Sequence, residues 1–233
     1  MTNGGCVEGY FASFEGQDGC GKTTVIRGVA ERLCSLGHRT HTIGEFSQAH
    51  FGDYLLHALS EDKFLRVKAG HKTSLTQAFA VLTDLMYLTE YEIMPKLAEG
   101  NIVLKDRYVD TLLACQLPAV LEEYGAGKGH LYEWFAQVAA ISPAAPDTTF
   151  YLDVPLDVRI KRIQERDRAF KEHRANEVSS EDVRVFGARE QAYRRIAADN
   201  PKRFKVIGNA RDIESTVGKI TEAILGGYGK STG

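Results

Sequence analysis

Four cysteines in 233 residues, at positions 6, 20, 34 and 115, are too few and too scattered for a disulfide scaffold or a paired metal site. No apolar run approaches the length that spans a bilayer. The leading Met1-Thr2-Asn3-Gly4-Gly5 also lacks the basic region and apolar stretch of a signal peptide. A formal net charge of −2 gives no electrostatic reason to expect bulk binding to nucleic acid or to an anionic membrane. Internal repeats and low-complexity stretches are missing as well. What remains reads as a cytosolic chain, with a small molecule as its expected partner. Its 43% apolar residues suffice for one sizeable core and a single domain over 1–233, with a glycine-rich tail, 226–233, expected to fray.

Against that background Gly16-Gln17-Asp18-Gly19-Cys20-Gly21-Lys22-Thr23 fits G-x-x-x-x-G-K-[ST] and is followed by Thr24. It comes straight after Tyr10-Phe11-Ala12-Ser13-Phe14, an apolar run that reads as a buried strand. The context makes the motif a phosphate loop. Glycines at 16, 19 and 21 let backbone N–H groups close around a phosphate, and the helix starting near Lys22 points its positive end there. Lys22 then reaches β- and γ-phosphates, and the Thr23 hydroxyl holds Mg²⁺. Cys20 lies among the same N–H donors, which favour a thiolate; the other three cysteines read as small packing residues.

Beyond the loop, Val25, Val29, Leu33 and Leu36 recur at helical spacing up to Gly37, and a short strand is expected over 39–43. Residues 75–97 form one long helical segment, with Phe79, Leu82, Met86, Tyr91 and Ile93 apolar and Pro95 near its end. Strands over 101–106, 148–153 and 204–207 complete an α/β pattern. It predicts a P-loop NTPase fold, a central parallel five-stranded sheet flanked by helices, with ligands beyond the carboxyl ends of the strands. Asp106, Asp153 and the loop all fall at that edge.

Asp106-Arg107-Tyr108, where a strand runs out, offers a carboxylate for the Mg²⁺ shell and a guanidinium for a phosphate fork. A second basic cluster, 159–168, runs into the polar, unpatterned stretch 169–181. That combination suits a short lid over about 166–182 that closes on a triphosphate, with Arg166 or Arg168 reaching the transferring group. Lys161 and some neighbouring arginines read as a solvated face.

From about Tyr10 to Leu225 the chain resembles the thymidylate kinase family. The resemblance is carried by 14–24, by Pro95-Lys96-Leu97-Ala98-Glu99-Gly100, by Asp106-Arg107-Tyr108 with Thr111 and Gln116, by 146–155, and by Arg189-x-x-x-Tyr193. It implies Mg²⁺-dependent transfer from ATP to a nucleoside monophosphate, with Asp18 near the acceptor's sugar or phosphate and Arg107 on its phosphate. It also implies a homodimer.

The departures concern the acceptor. The family's Thr-Arg-Glu-Pro-Gly-Gly-Thr becomes Ile43-Gly44-Glu45-Phe46-Ser47-Gln48-Ala49, keeping only the glutamate. No arginine lies between Arg66 and Arg107, so Leu85 stands where the family places a thymine-reading arginine. Cys115 replaces the aromatic before Gln116 that crowds the ribose 2′ position. The phosphate machinery is kept and the base and sugar pocket rewritten, with Gln116 a remaining base contact and Tyr87 or Gln77 as substitute readers. Two further readings stay open. One is a kinase acting on a hydroxyl of a nucleoside or other small molecule, with Glu45 as base; the other is a nucleotide-binding module without activity.

Overall fold

The computed structural model describes residues 9–61, 74–125, 130–142, 144–169, 178–208 and 212–231, with the side chains of 167–169, 230 and 231 outside that description. Strand β1 (Tyr10–Glu15) is buried at every position, as a strand covered on both faces must be. It lies at the centre of a five-stranded sheet with β2 (Thr40–Ile43), β3 (Ile102–Asp106), β4 (Thr148–Asp153) and β5 (Phe204–Gly208). The order is β2-β3-β1-β4-β5, and every pairing is parallel. Phe14 is in register with Asp106, and Glu15 with Tyr151. The phosphate loop therefore leaves the sheet beside the end of β3, which brings two distant motifs to one edge.

Helices cover both faces. One core packs α1 (Lys22–Ser35) and α10 (Ile213–Ser231) on Tyr10, Ala12, Phe14, Leu104 and Phe150. The opposite core gathers Phe11, Val103, Tyr108 and Tyr151 with residues of α2 (His50–Glu61), α3 (Ser74–Leu88), α6 (Leu117–Tyr124), α7 (His130–Ala139) and α9 (Ser180–Asp199). Between the last two strands runs α8 (Leu156–Ala169). No helix among the described residues is long and apolar enough to cross a membrane.

The long segment expected over 75–97 is one helical run of three parts. Helix α3 passes through a π-helical stretch (Thr89–Ile93) into α4 (Met94–Ala98). Its buried face is Ala78, Val81, Leu85, Leu88 and Ile93, whereas Phe79 and Tyr91 are exposed. The wider π turn shifts the phase beyond Leu88, which accounts for Tyr91; Phe79 lies upstream of it, on the outer face of α3 itself. A second π-helical stretch (Leu112–Gln116) joins the short α5 (Val109–Thr111) to α6 and carries Cys115 and Gln116.

Leu36, Cys34 and the tail depart from expectation. Leu36 is exposed, lying just past the end of α1, and Cys34 is exposed with its sulfur 3.0 Å from the Thr40 hydroxyl. The tail glycines do not end the last helix, which continues to Ser231. Gly227 packs so closely on Tyr10 that an added Cβ would lie 2.6 Å from its hydroxyl, and the Tyr228 ring meets Tyr10 edge to face. Within the expected lid, 166–169 end α8 and 180–182 begin α9, while 170–177 lie outside the described residues. Ser179 and Asp182 start α9 with reciprocal side-chain to backbone bonds, each 3.1 Å.

Phe150 is fully buried in the central sheet, its ring 5.5 Å from that of Phe14. Phe150→Ala should cost about 3–5 kcal/mol of unfolding free energy by urea titration, as core aromatic truncations do. A loss under about 1 kcal/mol would contradict this packing.

Candidate active site

The loop after β1 turns through left-handed backbone at Gly19 (φ 79) and Gly21 (φ 89). At Gly19 an added Cβ would lie 2.5 Å from the Arg159 carbonyl, so only glycine lets α8 pack this close. Arg162 of α8 donates to the Gly19 and Cys20 carbonyls at 3.3 and 3.4 Å. Lys22 is buried and its ammonium donates to the Gly16 carbonyl at 2.9 Å, with the buried Cys20 sulfur 3.9 Å away. Burial and the Arg107 charge push the Lys22 ammonium down, but Cys20, Asp106 and Asp18 outweigh them and hold its pKa above the ordinary value. Thr23 and Thr24 are exposed on the first turn of α1.

Beside the loop, β3 ends in Asp106. Its Oδ1 is buried and has no hydrogen-bond partner. A buried carboxylate oxygen without a partner fits a divalent cation, and the Thr23 hydroxyl, exposed on the first turn of α1, is a second oxygen able to share it.

Arg107 follows with φ 59, the one non-glycine positive φ among the described residues. Such a backbone costs on the order of 1–3 kcal/mol and persists only where neighbours over-determine it. They do so here, for the Arg107 N–H donates to Phe14 O at 2.9 Å and the next N–H, of Tyr108, to Glu15 at 2.8 Å. The strained turn aims the guanidinium of Arg107, a residue only 6% exposed, at a cleft. Its Nη2 donates to Asp18 at 2.8 Å, and its Nε lies 3.1 Å from Glu45 at an angle that makes no hydrogen bond. Burial disfavours the cation, but Glu45 and Asp18 more than compensate and hold its pKa well above the usual arginine range. Burial likewise raises the Asp18 carboxyl, and Arg107, Lys22, Arg189 and Arg166 together bring it below the usual range.

The cleft holds about 250 Å³. Its polar wall is Asp18, Glu45, Asp84, Arg107, Thr111, Gln116, Arg166 and Arg189; its less polar wall is Phe46, Leu59, Val81, Leu85, Tyr108 and Cys115. All six residues expected around an acceptor thus meet in one cavity: Asp18, Glu45, Leu85, Arg107, Cys115 and Gln116. Arg166 joins them, whereas the Arg168 side chain lies outside the described residues. Neither substitute base reader lines the cleft. Gln77 accepts from Tyr54 at 3.3 Å on an exposed face, and Tyr87 stacks on Tyr91 with ring centres 4.7 Å apart.

Sequence reasoning missed three contributors. Asp84 is buried, accepting from the Ser47 N–H at 3.1 Å and from the Ser47 hydroxyl. Lys105 is fully buried on β3; burial pushes its pKa down to about 8, against the charges of Asp106, Glu45, Asp84 and Glu15. Glu15, the last residue of β1, accepts from Tyr108 N–H, from the Thr111 hydroxyl at 2.5 Å and from the Tyr193 hydroxyl at 2.9 Å. A signal was present in each case, namely a charged residue inside or beside an otherwise apolar element, which is buried only with a partner.

Burial first, and then the nearby Asp110 charge, raises Glu15 from 4.5 to about 7, with the Thr111 and Tyr108 hydrogen bonds and Arg107 opposing. Between those pH values the folded chain keeps a proton that the unfolded chain has released. Folding stability therefore falls as pH rises through the window, by up to about 1.4 kcal/mol per pH unit. Glu15→Gln removes the titration. Urea midpoints from pH 4.5 to 7 should show wild type losing stability relative to Glu15→Gln. Parallel curves would contradict the buried carboxyl.

The thymidylate kinase family model matches residues 14–220. Thymidylate kinase from Enterococcus faecalis is 30% identical over 225 residues, covering 95% of this chain and 98% of its own. That from Staphylococcus haemolyticus is 29% identical over 218 residues, covering 92% and 97%. The crystal structure of thymidylate kinase from Ehrlichia chaffeensis superposes with a TM-score of 0.64 at 22% identity, covering 92% of this chain and 98% of that one. A parallel sheet with its phosphate loop beside an Asp-Arg-Tyr strand end, and relatives aligned over nearly their whole length, have one common explanation: the chain belongs to the thymidylate kinase family of nucleoside monophosphate kinases.

Proposed function

We propose that this chain transfers the γ-phosphoryl group of ATP, with Mg²⁺, to the phosphate of a nucleoside monophosphate bound in the Arg107 cleft, and that thymidylate is not singled out as the acceptor. The observation that carries the reading is Arg107 itself. A buried guanidinium on a cleft wall, with Nε short of a hydrogen bond, is suited to an anion that supplies one.

The roles follow from position. Backbone N–H groups of the loop and Lys22 bind the donor phosphates, and Thr23 and Asp106 would hold Mg²⁺, which when bound neutralises charge on the transferring group. Arg166, on the cleft wall at the end of α8, adds a cation where negative charge spreads. A phosphate acceptor is already anionic at neutral pH, so no general base is needed. Glu45 faces the Arg107 guanidinium at 3.1 Å, an engagement that disfavours its use as base toward a hydroxyl. Intact Lys22, Thr23, Asp106 and Arg107 speak against an inactive module.

Selectivity rests on what surrounds the base. Leu85 offers no hydrogen bond, Cys115 only a weak one, and the Thr111 hydroxyl already donates to Glu15, which leaves the Gln116 amide as the main uncharged donor and acceptor for a base. An apolar wall separates acceptors by about 10–200-fold, whereas a hydrogen-bonding site rejects analogues by ~10⁴ or more. In competition among nucleoside monophosphates, thymidylate should not exceed every competitor in kcat/KM by more than about 200-fold. A preference of a thousandfold or more refutes the altered acceptor site.

The homodimer expected by resemblance is part of the same reading. For Arg107, the expected outcome of Arg107→Ala is a rise in acceptor KM with ATP KM nearly unchanged. Loss of a charge-assisted hydrogen bond costs roughly 1.5–3 kcal/mol, or about 10–150-fold. Collapse of ATP binding with a steady acceptor KM would reverse the assignment.

A further inference from the structure

The segment that replaces the family's second-strand motif, residues 44–49, supplies Glu45 and Phe46 to the cleft and has no regular structure before α2. It is nonetheless held at several points. The Lys105 ammonium, buried inside the sheet, donates to the carbonyls of Gly44 (2.6 Å), Glu45 (2.9 Å) and Asp106 (2.9 Å), which uses all three of its protons. Asp84 takes the Ser47 N–H and hydroxyl, and that hydroxyl in turn accepts from Ala49 N–H at 3.2 Å. On the far side Gly52 packs so tightly that an added Cβ would lie 1.9 Å from the Ser47 carbonyl.

We infer that Lys105 and Asp84 are positioning residues for the acceptor. From opposite ends they fix the backbone of 44–49, so that Glu45 meets Arg107 and Phe46 forms a wall of the pocket. Two observations stand behind this. A lysine fully buried in a central strand is expensive unless each proton is matched, and here all three go to strand-end carbonyls, two of them on this segment. A buried aspartate spends both oxygens on a single residue of the same segment. Lys105 does not itself line the cleft, so its effect on the acceptor runs through the Glu45 carbonyl it holds and the rest of 44–49. The inference rests on reading the Arg107 cleft as the acceptor site.

The test compares Lys105→Met, Asp84→Ala, Asp84→Asn and Ser47→Ala with wild type, measuring KM for ATP, KM for the best monophosphate acceptor, kcat, and amide exchange at 45–47. A misplaced wall near reacting groups lowers efficiency by up to ~10²-fold. Acceptor kcat/KM should therefore fall about 10–100-fold in Lys105→Met and Asp84→Ala, with ATP KM within about twofold. Asp84→Asn, which keeps one acceptor oxygen, should recover part of the loss, and exchange at 45–47 should quicken in Lys105→Met and Asp84→Ala. Where Lys105→Met does not fold, Ser47→Ala, which removes one hydroxyl, carries the decision through the same acceptor-specific rise in KM. Unchanged acceptor KM and unchanged exchange in the folded variants overturn the inference while wild-type turnover leaves the functional reading standing. Wild type that phosphorylates no monophosphate overturns that reading and this inference with it.

Discussion

Keeping a guanidinium charged at 6% exposure is the constraint on which this site depends. Taking such a charge out of water is costly, and removing a partner from a buried ion pair commonly costs several kcal/mol more. Arg107 therefore has carboxylates on two sides, Asp18 from the phosphate loop and Glu45 from beyond β2. Its left-handed backbone is fixed by bonds from its own N–H and its neighbour's to the end of β1. The parallel order puts β1 between β3 and β4, so the loop, the Asp-Arg-Tyr turn and the buried Glu15 share one edge. Each of these groups would be unstable alone; together they compensate one another's burial.

The charges form an alternating array. Lys22, Arg107, Arg166 and Arg189 act together on Asp18, while Glu45 and Asp18 act on Arg107. An anionic ligand entering such an array trades one carboxylate contact for another anion, with little net desolvation of the cation. The Glu45 contact is the easier to trade, because it is electrostatic and unaligned whereas Asp18 holds a hydrogen bond.

Much of the fold was legible because its signals are local. Four short, largely apolar runs bounded by turns, the glycine spacing at 16, 19 and 21, and a carboxylate closing a strand at Asp106 each depend on a few adjacent residues. The register that sets Phe14 beside Asp106, and the convergence of Leu85, Cys115 and Gln116 on one cavity, follow from topology and family spacing together. What sequence left dark depends on contacts far along the chain. The buried face of α3 shifts where the π-helical stretch begins, so Tyr91 turns to solvent and Ile93 inward. The bonds of Lys105 and Asp84 form only where the 44–49 segment meets β3 and α3, since a lone charge in an apolar run announces a partner without naming it. The glycine-rich end read as a frayed tail because glycine disfavours helices; close contact with Tyr10 supplies what intrinsic propensity does not.

On this reading the group receiving the phosphoryl is itself a phosphate held against Arg107. Phosphorus-31 NMR of the product formed from ATP, Mg²⁺ and a nucleoside monophosphate tests it directly, because a new P–O–P linkage splits both phosphorus signals through mutual coupling. Transfer to a phosphate gives two coupled pairs in equal amount, one for ADP and one for the new nucleoside diphosphate, as the acceptor's monoester signal falls. An uncoupled phosphate monoester on a hydroxyl, or inorganic phosphate alone, would contradict it.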